Sequence, residues 1–354
     1  MNAGQASIMT VLGLVPADSI EQTLIHEHVH CDLSPLIEVH GYSSRSQTAF
    51  EGDICAEARW NPGVHPSNYV MTDESLITSE LGYLTGTGFN CVVDVTPADL
   101  GRNPLALERI SQATGLHIVM GAGWYLEVTH KRFLEGKTVE QVADGIITEC
   151  RDGVADSRIR PGIIGEVGTN IPITHSEQKS LVGAAIAALA TGRSLSVHLH
   201  PWGKEGLAAL THIGRAGLSA DRVILGHVTT SASDESYLRS MMDSGATIAF
   251  DLFGFDHSLI GEGRYAPSDW DVCQAIAKLV RDGYGDRIVI SQDVGVRTRL
   301  HRYGGWGYDH IAKHIAPLLV KSGVEPSELA QILINNTRRH LTLASAPEVT
   351  PGGV

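Results

Sequence analysis

Eight short runs rich in β-branched and apolar residues constrain this chain most: 24–30 LIHEHVH, 91–97 CVVDVTP, 117–124 HIVMGAGW, 162–168 GIIGEVG, 194–200 SLSVHLH, 222–228 RVILGHV, 247–253 TIAFDLF and 287–294 RIVISQDV. Between most of them lie stretches with helical spacing and start signals: Asp73 before ESLITSELGYL, Asn103–Pro104 before LALERISQA, Ser233 before DESYLRSMM. Strands alternating with helices imply βα units and a parallel sheet. Eight units without a break favour a closed (β/α)₈ TIM barrel, an α/β fold, over an open doubly wound sheet. The length of 354 residues suits one such barrel with elaborated loops. Residues 1–354 are therefore expected to form a single barrel domain. It would comprise an N-terminal segment (1–23), long loops on the face where βα connections emerge (33–72 and 254–268), and a C-terminal helix and tail (325–354). The final residues, APEVTPGGV, are expected to fray.

Several function classes drop out early. No G-x-G-x-x-G follows the first strand and no G-x-x-x-x-G-K-[ST] occurs, so a nucleotide-phosphate cradle is missing. A formal charge of −13 with no basic cluster argues against nucleic acid as a partner. The five cysteines (Cys31, Cys55, Cys91, Cys150, Cys273) are scattered, with no C-x-x-C pair, and read as reduced thiols. Without a signal-like N-terminus or a run of roughly 18 apolar residues, the chain is expected to be cytoplasmic and free of membrane spans.

Polar residues gather at the strand ends. His26 and His28 are two apart in the first strand, so their side chains share a face. Glu166 ends the fourth strand, His198 the fifth, His227 the sixth and Asp293 the eighth. Four imidazoles and two carboxylates at one barrel mouth form a nitrogen–oxygen metal site, and six ligands exceed what one tetrahedral ion needs. Two divalent cations fit better. Zinc is the first expectation, with manganese, cobalt or iron as alternatives for the same donors. His30 and His200 share faces with these residues and are the alternative ligands, but the expectation is that they sit beyond the mouth. Asp94, His117 and His130 read as structural. Glu166 has a rival role as general base, but its place between the two histidine sets favours a bridge.

TVLGLV near the start, TLIHEH, HIVMGAGWYLEVTH, GIIGEVGT, TGRSLSVH, GHVTTS, FDLFG and SQDVGVRTRLHRYGGWGYDHI occur in one order along nearly the whole chain. In these pieces the sequence resembles the phosphotriesterase family of the amidohydrolase superfamily, and within it the phosphotriesterase-related branch. The resemblance implies a binuclear centre in which His26, His28 and Asp293 hold a buried ion, His198 and His227 an exposed one, and Glu166 bridges them. In phosphotriesterases proper and their lactonase relatives the bridge is a carboxylated lysine, where this chain has glutamate, as the related branch does. A homodimer is implied in the same way.

The resulting expectation is hydrolysis of a small molecule. A water activated between the ions attacks an electrophilic centre, and Asp293 accepts its proton. Tyr125, in the GAGWY segment, matches a tyrosine that lines the lactonase pocket and would help bind the carbonyl oxygen. A lactone, ester or N-acyl amide is favoured over a phosphotriester, which would be a promiscuous substrate. Trp202, Phe253, Phe255 and Trp306 are candidate apolar walls. Lys204, Arg264, Arg297 and Arg299 are candidate partners for an acidic group. Two readings compete: a mononuclear deaminase of the same superfamily, which should lack a carboxylate bridge, and a non-catalytic, metal-stabilised binding protein.

Overall fold

The structure, a computed structural model, describes residues 6–36, 49–256 and 264–344. The tail 346–354 and parts of both long loops (37–48 and 257–263) lie outside the described residues.

All eight runs form strands: β1 (Gln22–Glu27), β2 (Phe89–Asp94), β3 (His117–Met120), β4 (Ile164–Gly168), β5 (Leu195–His198), β6 (Val223–Leu225), β7 (Thr247–Phe250) and β8 (Ile288–Ile290). They pair in parallel as two arcs, β1-β2-β3 and β4-β5-β6-β7-β8. Backbone bonds join the arcs on both sides. Gly162 N–H donates to the Met120 carbonyl at 2.8 Å, and Asp293 N–H to the His26 carbonyl at 3.2 Å. The sheet is thus a closed TIM barrel within one α/β domain, the architecture that eight βα units require.

Alternation along the strands divides the core in two. Ile25, Val93, Val119, Ile163, Ile224, Ala249 and Val289 pack together inside the barrel. Their neighbours Leu24, Val92, Ile118, Leu195, Leu225, Ile248 and Ile288 face outward into the helix layer. Both faces are buried, which is why the strands read as nearly unbroken apolar runs. Full burial of each valine, leucine or isoleucine among them contributes roughly 1.5–3 kcal/mol. The interior cluster also takes in Ile8, from an N-terminal hairpin (Ser7–Thr10 with Gly13–Pro16), and Leu341 near the chain's other end. Ile8 pairs with Thr342 across that end. One end of the barrel is therefore filled with hydrocarbon, and polar side chains collect at the other.

The helical layer follows the expected start signals. Asp73 caps α1 (Glu74–Leu81), accepting from Leu76 N–H, and Asn103 caps α2 (Pro104–Thr114), which has proline in its first turn. Reciprocal capping boxes open α3 (Val139–Asp152) and α4 (His175–Thr191). Next come α5 (Gly206–Arg215), α6 (Glu235–Asp243) and α7 (Asp269–Leu279). The cap of α6 is Asp234, accepting from Tyr237 N–H, one residue beyond the expected Ser233. Adjacent Ser and Asp are near-equal capping residues, so sequence alone cannot choose between them. Residues 49–72, the described part of the long loop beyond residue 48, carry more regular structure than the irregular sequence pattern implies. They include a helix, Asp53–Trp60, and 3₁₀ turns at Pro62–Val64 and Pro66–Tyr69. Among the described residues, no helix is long and apolar enough to cross a membrane.

Candidate metal centre

His26 lies within β1, and His28 just past its end. Glu166 is in β4 and His198 closes β5, while His227 and Asp293 sit in the turns after β6 and β8. All six converge on one spot at the open end of the barrel. The Glu166 carboxylate is at its middle. Oε1 lies 3.3 Å from His28 Nε2, while Oε2 lies 3.3 Å from His26 Nε2, 3.1 Å from His198 Nδ1 and 3.6 Å from His227 Nε2. Asp293 Oδ1 is 3.3 Å from His28 Nε2 and 4.0 Å from His26 Nε2.

Local backbone shape makes this possible. Gly165 has φ +129°, and a Cβ there would sit 2.3 Å from the Ser196 carbonyl, so only glycine lets β4 and β5 approach beside Glu166. His227 (φ +58°) and Asp293 (φ +49°) are left-handed although neither is glycine. Such a conformation costs on the order of 1–3 kcal/mol and persists where surrounding contacts enforce it. Asp251, directly after β7, supplies part of that enforcement. Its carboxylate accepts His227 N–H at 2.9 and 3.0 Å and faces His227 Nδ1 at 3.1 Å and His26 Nδ1 at 3.2 Å. Glu27 does the same for the other turn, accepting from Ser291 Oγ (2.6 Å), Gln292 N–H (3.1 Å) and Val294 N–H (2.8 Å) on either side of Asp293. His28 Nδ1 bonds Thr96 Oγ1 at 2.9 Å.

These residues suit divalent cations. His26 Nε2 is buried with no hydrogen-bond partner although it points at two carboxylates. Two triads each bring their donor atoms within 4.8 Å: His26, Glu166 and His227, and His26, His28 and Asp293. Charges of both signs are strongly perturbed. Burial opposes a charge on His26, yet the carboxylates of Asp251 and Glu166 outweigh it and lift the imidazole to about 9. Burial and the neighbouring His227 push His198 down to about 4. Burial likewise opposes ionisation of Glu166, but the surrounding histidines hold it well below the ordinary carboxylate range. A dry cluster of carboxylates that draws in protons in this way calls for cations.

Tyr125 lies five residues past β3. Its hydroxyl is 3.1 Å from His198 Nδ1, and its backbone N–H donates to Asp99 at 3.1 Å. Five of the six residues (His28, Glu166, His198, His227 and Asp293) and Tyr125 open onto a cleft of about 280 Å³ whose walls include Tyr69, His200, Trp202 and Phe255, while His26 lies buried behind them. The other sequence candidates are placed differently. Phe253 is buried in the core, Lys204 pairs with Asp234, and Arg297 Nε donates to the Val70 carbonyl at 2.7 Å. Arg264 is exposed, with its guanidinium 5.6 Å from the Trp202 ring centre. None of these four lines the cleft. In the turn after β7, Phe255 rather than Phe253 supplies the wall. Trp306 is half exposed and stacks on His310. His30 bonds the Gly101 carbonyl, His130 ties Tyr125 O to Ser176, and Asp94 accepts from Val29, His30 and Thr96 N–H groups. Asp251, Glu27 and Thr96 were missed by sequence reasoning. Asp251 ends its strand as the other polar residues do, so the same strand-end rule reaches it in FDLFG.

Comparison with known proteins identifies the family. The description of the phosphotriesterase family matches residues 6–341. An N-acetyltaurine hydrolase of Dictyostelium discoideum is 32% identical over 361 residues, spanning 95% of this chain and 98% of that protein. A crystal structure of a resiniferatoxin-binding protein from Rhodobacter sphaeroides is similar with TM-score 0.90 and 33% identity, covering 95% of this chain and 94% of that one. The phosphotriesterase homology protein of Escherichia coli, solved with phosphate in its active site, gives TM-score 0.76 and 25% identity over 91% of this chain and 98% of that one.

Proposed function

This chain belongs to the phosphotriesterase family and is a metal-dependent hydrolase, and from that premise we propose that it cleaves the amide bond of an N-acyl substrate at a centre for two divalent cations. The observation that carries this reading is the division of the Glu166 carboxylate, with one oxygen toward His28 and the other toward His26, His198 and His227. A carboxylate so placed would serve two ions at once. A mononuclear deaminase leaves it unexplained. His26, His28 and Asp293 would hold one ion, His198 and His227 the other, with zinc the natural occupant of imidazole and carboxylate donors. When bound, the ions lower the pKa of water toward about 7 and act as Lewis acids toward a carbonyl oxygen.

The chain's own residues supply the remaining steps. Asp293 is the most exposed of the six, with 18% of its side chain accessible, and it lines the cleft. It takes the proton of the attacking water and returns it to the nitrogen as the carbon–nitrogen bond breaks. Burial and nearby carboxylates keep the Tyr125 phenol far above its ordinary pKa, so it stays protonated and donates a hydrogen bond to the substrate carbonyl. Amide cleavage is favoured over lactone opening by the N-acetyltaurine hydrolase, which matches almost end to end.

The test is metal content per chain for the wild type and Glu166→Ala, paired with turnover on N-acyl amides and lactones. Two metals and amide turnover in the wild type, both lost in the variant, support the proposal. One metal or none, unchanged by the substitution, removes the bridged centre. Lactone turnover without amide turnover keeps the centre and overturns the scissile bond.

A further inference from the structure

The cleft above the metal centre is walled by hydrocarbon. Leu33, Leu36, Leu100, Leu126, Val128 and Val296 face it, joined by the rings of Tyr69, Trp202 and Phe255. Among the described residues, no lysine or arginine lines it. Among the described residues, two cations reach its aromatic walls, and both are turned onto the rings. The Arg299 guanidinium lies 3.5 Å from the Phe255 ring centre and donates to the Gly254 carbonyl, while Arg264 stands 5.6 Å from the Trp202 ring centre. The polar Asn170 at the cleft already donates its side-chain amide to Glu177 at 2.9 Å. Among the described residues, no guanidinium or ammonium lines the cleft to meet a sulfonate or carboxylate, and burying such a charge against the leucines is unfavourable.

We infer that the substrate of this site is a neutral compound with an apolar substituent of medium length beside the scissile bond, and not a short anionic amide such as N-acetyltaurine. This rests on the amide-hydrolase reading above and narrows it. A cavity of about 280 Å³ is at the small end of ordinary ligand sites, so it accommodates a short alkyl chain or one ring. Each methylene taken from water into such a cleft strengthens binding about fourfold. The gain should stop once the cavity is full.

The experiment uses the metal-loaded protein as purified, with N-acyl-butylamines from acetyl to octanoyl and N-acetyltaurine as the anionic comparison. The expected result is a rise in kcat/KM of at least tenfold from acetyl to hexanoyl, with N-acetyltaurine below every member of the series. A flat or falling series, or N-acetyltaurine as the best substrate, overturns the inference. If none of these amides is cleaved, the amide-hydrolase reading fails, and calorimetric binding of the same compounds then decides the inference separately. Dissociation constants that fall with chain length sustain the apolar cleft, and constants that do not change with length overturn it.

Discussion

The carboxylate of Asp251 accepts the backbone N–H of His227 at 2.9 Å and faces its ring Nδ1 at 3.1 Å, fixing both the left-handed turn and the imidazole that it presents. The same carboxylate reaches His26 Nδ1 at 3.2 Å, so one residue orients two rings of the centre. Partners of this kind set ring tautomer and direction, and their loss typically costs 10–100-fold in metal affinity. Asp251→Asn should therefore weaken metal binding by that order, measured by competition with a chromogenic chelator. Unchanged affinity in a folded variant would show that the two rings are held by other contacts.

Tyr125 touches His198 without belonging to either donor triad. Tyr125→Phe removes the hydroxyl and keeps the ring that fills the cleft wall. The expected outcome is a loss of tenfold or more in kcat, in line with losing a donor to the developing oxyanion, with two metals still bound. A variant that loses metal and activity together would instead make the hydroxyl a positioning group for His198.

The chelated protein should show a pH dependence that the metal-loaded one lacks. Without metal, His26 is held at about 9 by Asp251 and Glu166 against burial, above its ordinary value of 6.5. A raised imidazole pKa means that the folded state binds the proton more tightly than the unfolded state does. Its contribution to stability is complete below about 6.5 and fades as pH rises through about 9. Differential scanning fluorimetry in excess chelator should thus show Tm falling across that window. Metal binding runs the other way, because the proton must leave before the ion enters, so affinity rises with pH. A chelated Tm independent of pH between 6.5 and 9 would sink the assignment.

Gly165 predicts a structural effect beside the site. A methyl group at this position would lie 2.3 Å from the Ser196 carbonyl, and φ +129° is strained for any side chain. Gly165→Ala should destabilise the fold by about 2 kcal/mol or more, read as a drop in urea midpoint. Because β4 carries Glu166 next to it, metal content should fall in parallel. An alanine variant as stable as the wild type would mean that β4 and β5 can separate freely.

How much of this was legible in the sequence differs by level. The eight strands and the convergence of His26, His28, Glu166, His198, His227 and Asp293 followed from periodicity and strand ends, because a barrel maps position along a strand onto depth in the site. Asp251, within FDLFG, obeys the same rule, but a carboxylate alone does not announce which imidazoles it will orient. The cleft walls were harder. Phe253 and Phe255 are two apart, but they leave the strand through a turn, and that turn buries one and points the other at the cleft. Lys204 was claimed by Asp234, 30 residues away, and Arg297 by the Val70 carbonyl, 227 residues away. Neither pairing has a local signature.

Arg299 offers a last test, because it acts on the cleft through a wall and not through the metal. Its guanidinium lies 3.5 Å from the Phe255 ring centre and donates to the Gly254 carbonyl, clamping the start of the turn after β7. Gly254 N–H is held in turn by Asp269 at 2.9 Å, and Asp269 meets His310 at 2.7 Å. Replacing the planar guanidinium with an ammonium removes the stacking and leaves a charge. Arg299→Lys should raise KM for apolar substrates several-fold while metal content and kcat stay within about twofold, because Phe255 is a binding wall and not a proton carrier. Steady-state kinetics with elemental analysis separates the outcomes. A fall in kcat with KM unchanged would mean that the turn positions Asp293 or the water and not the substrate, moving Arg299 from the cleft wall into the support of the metal centre.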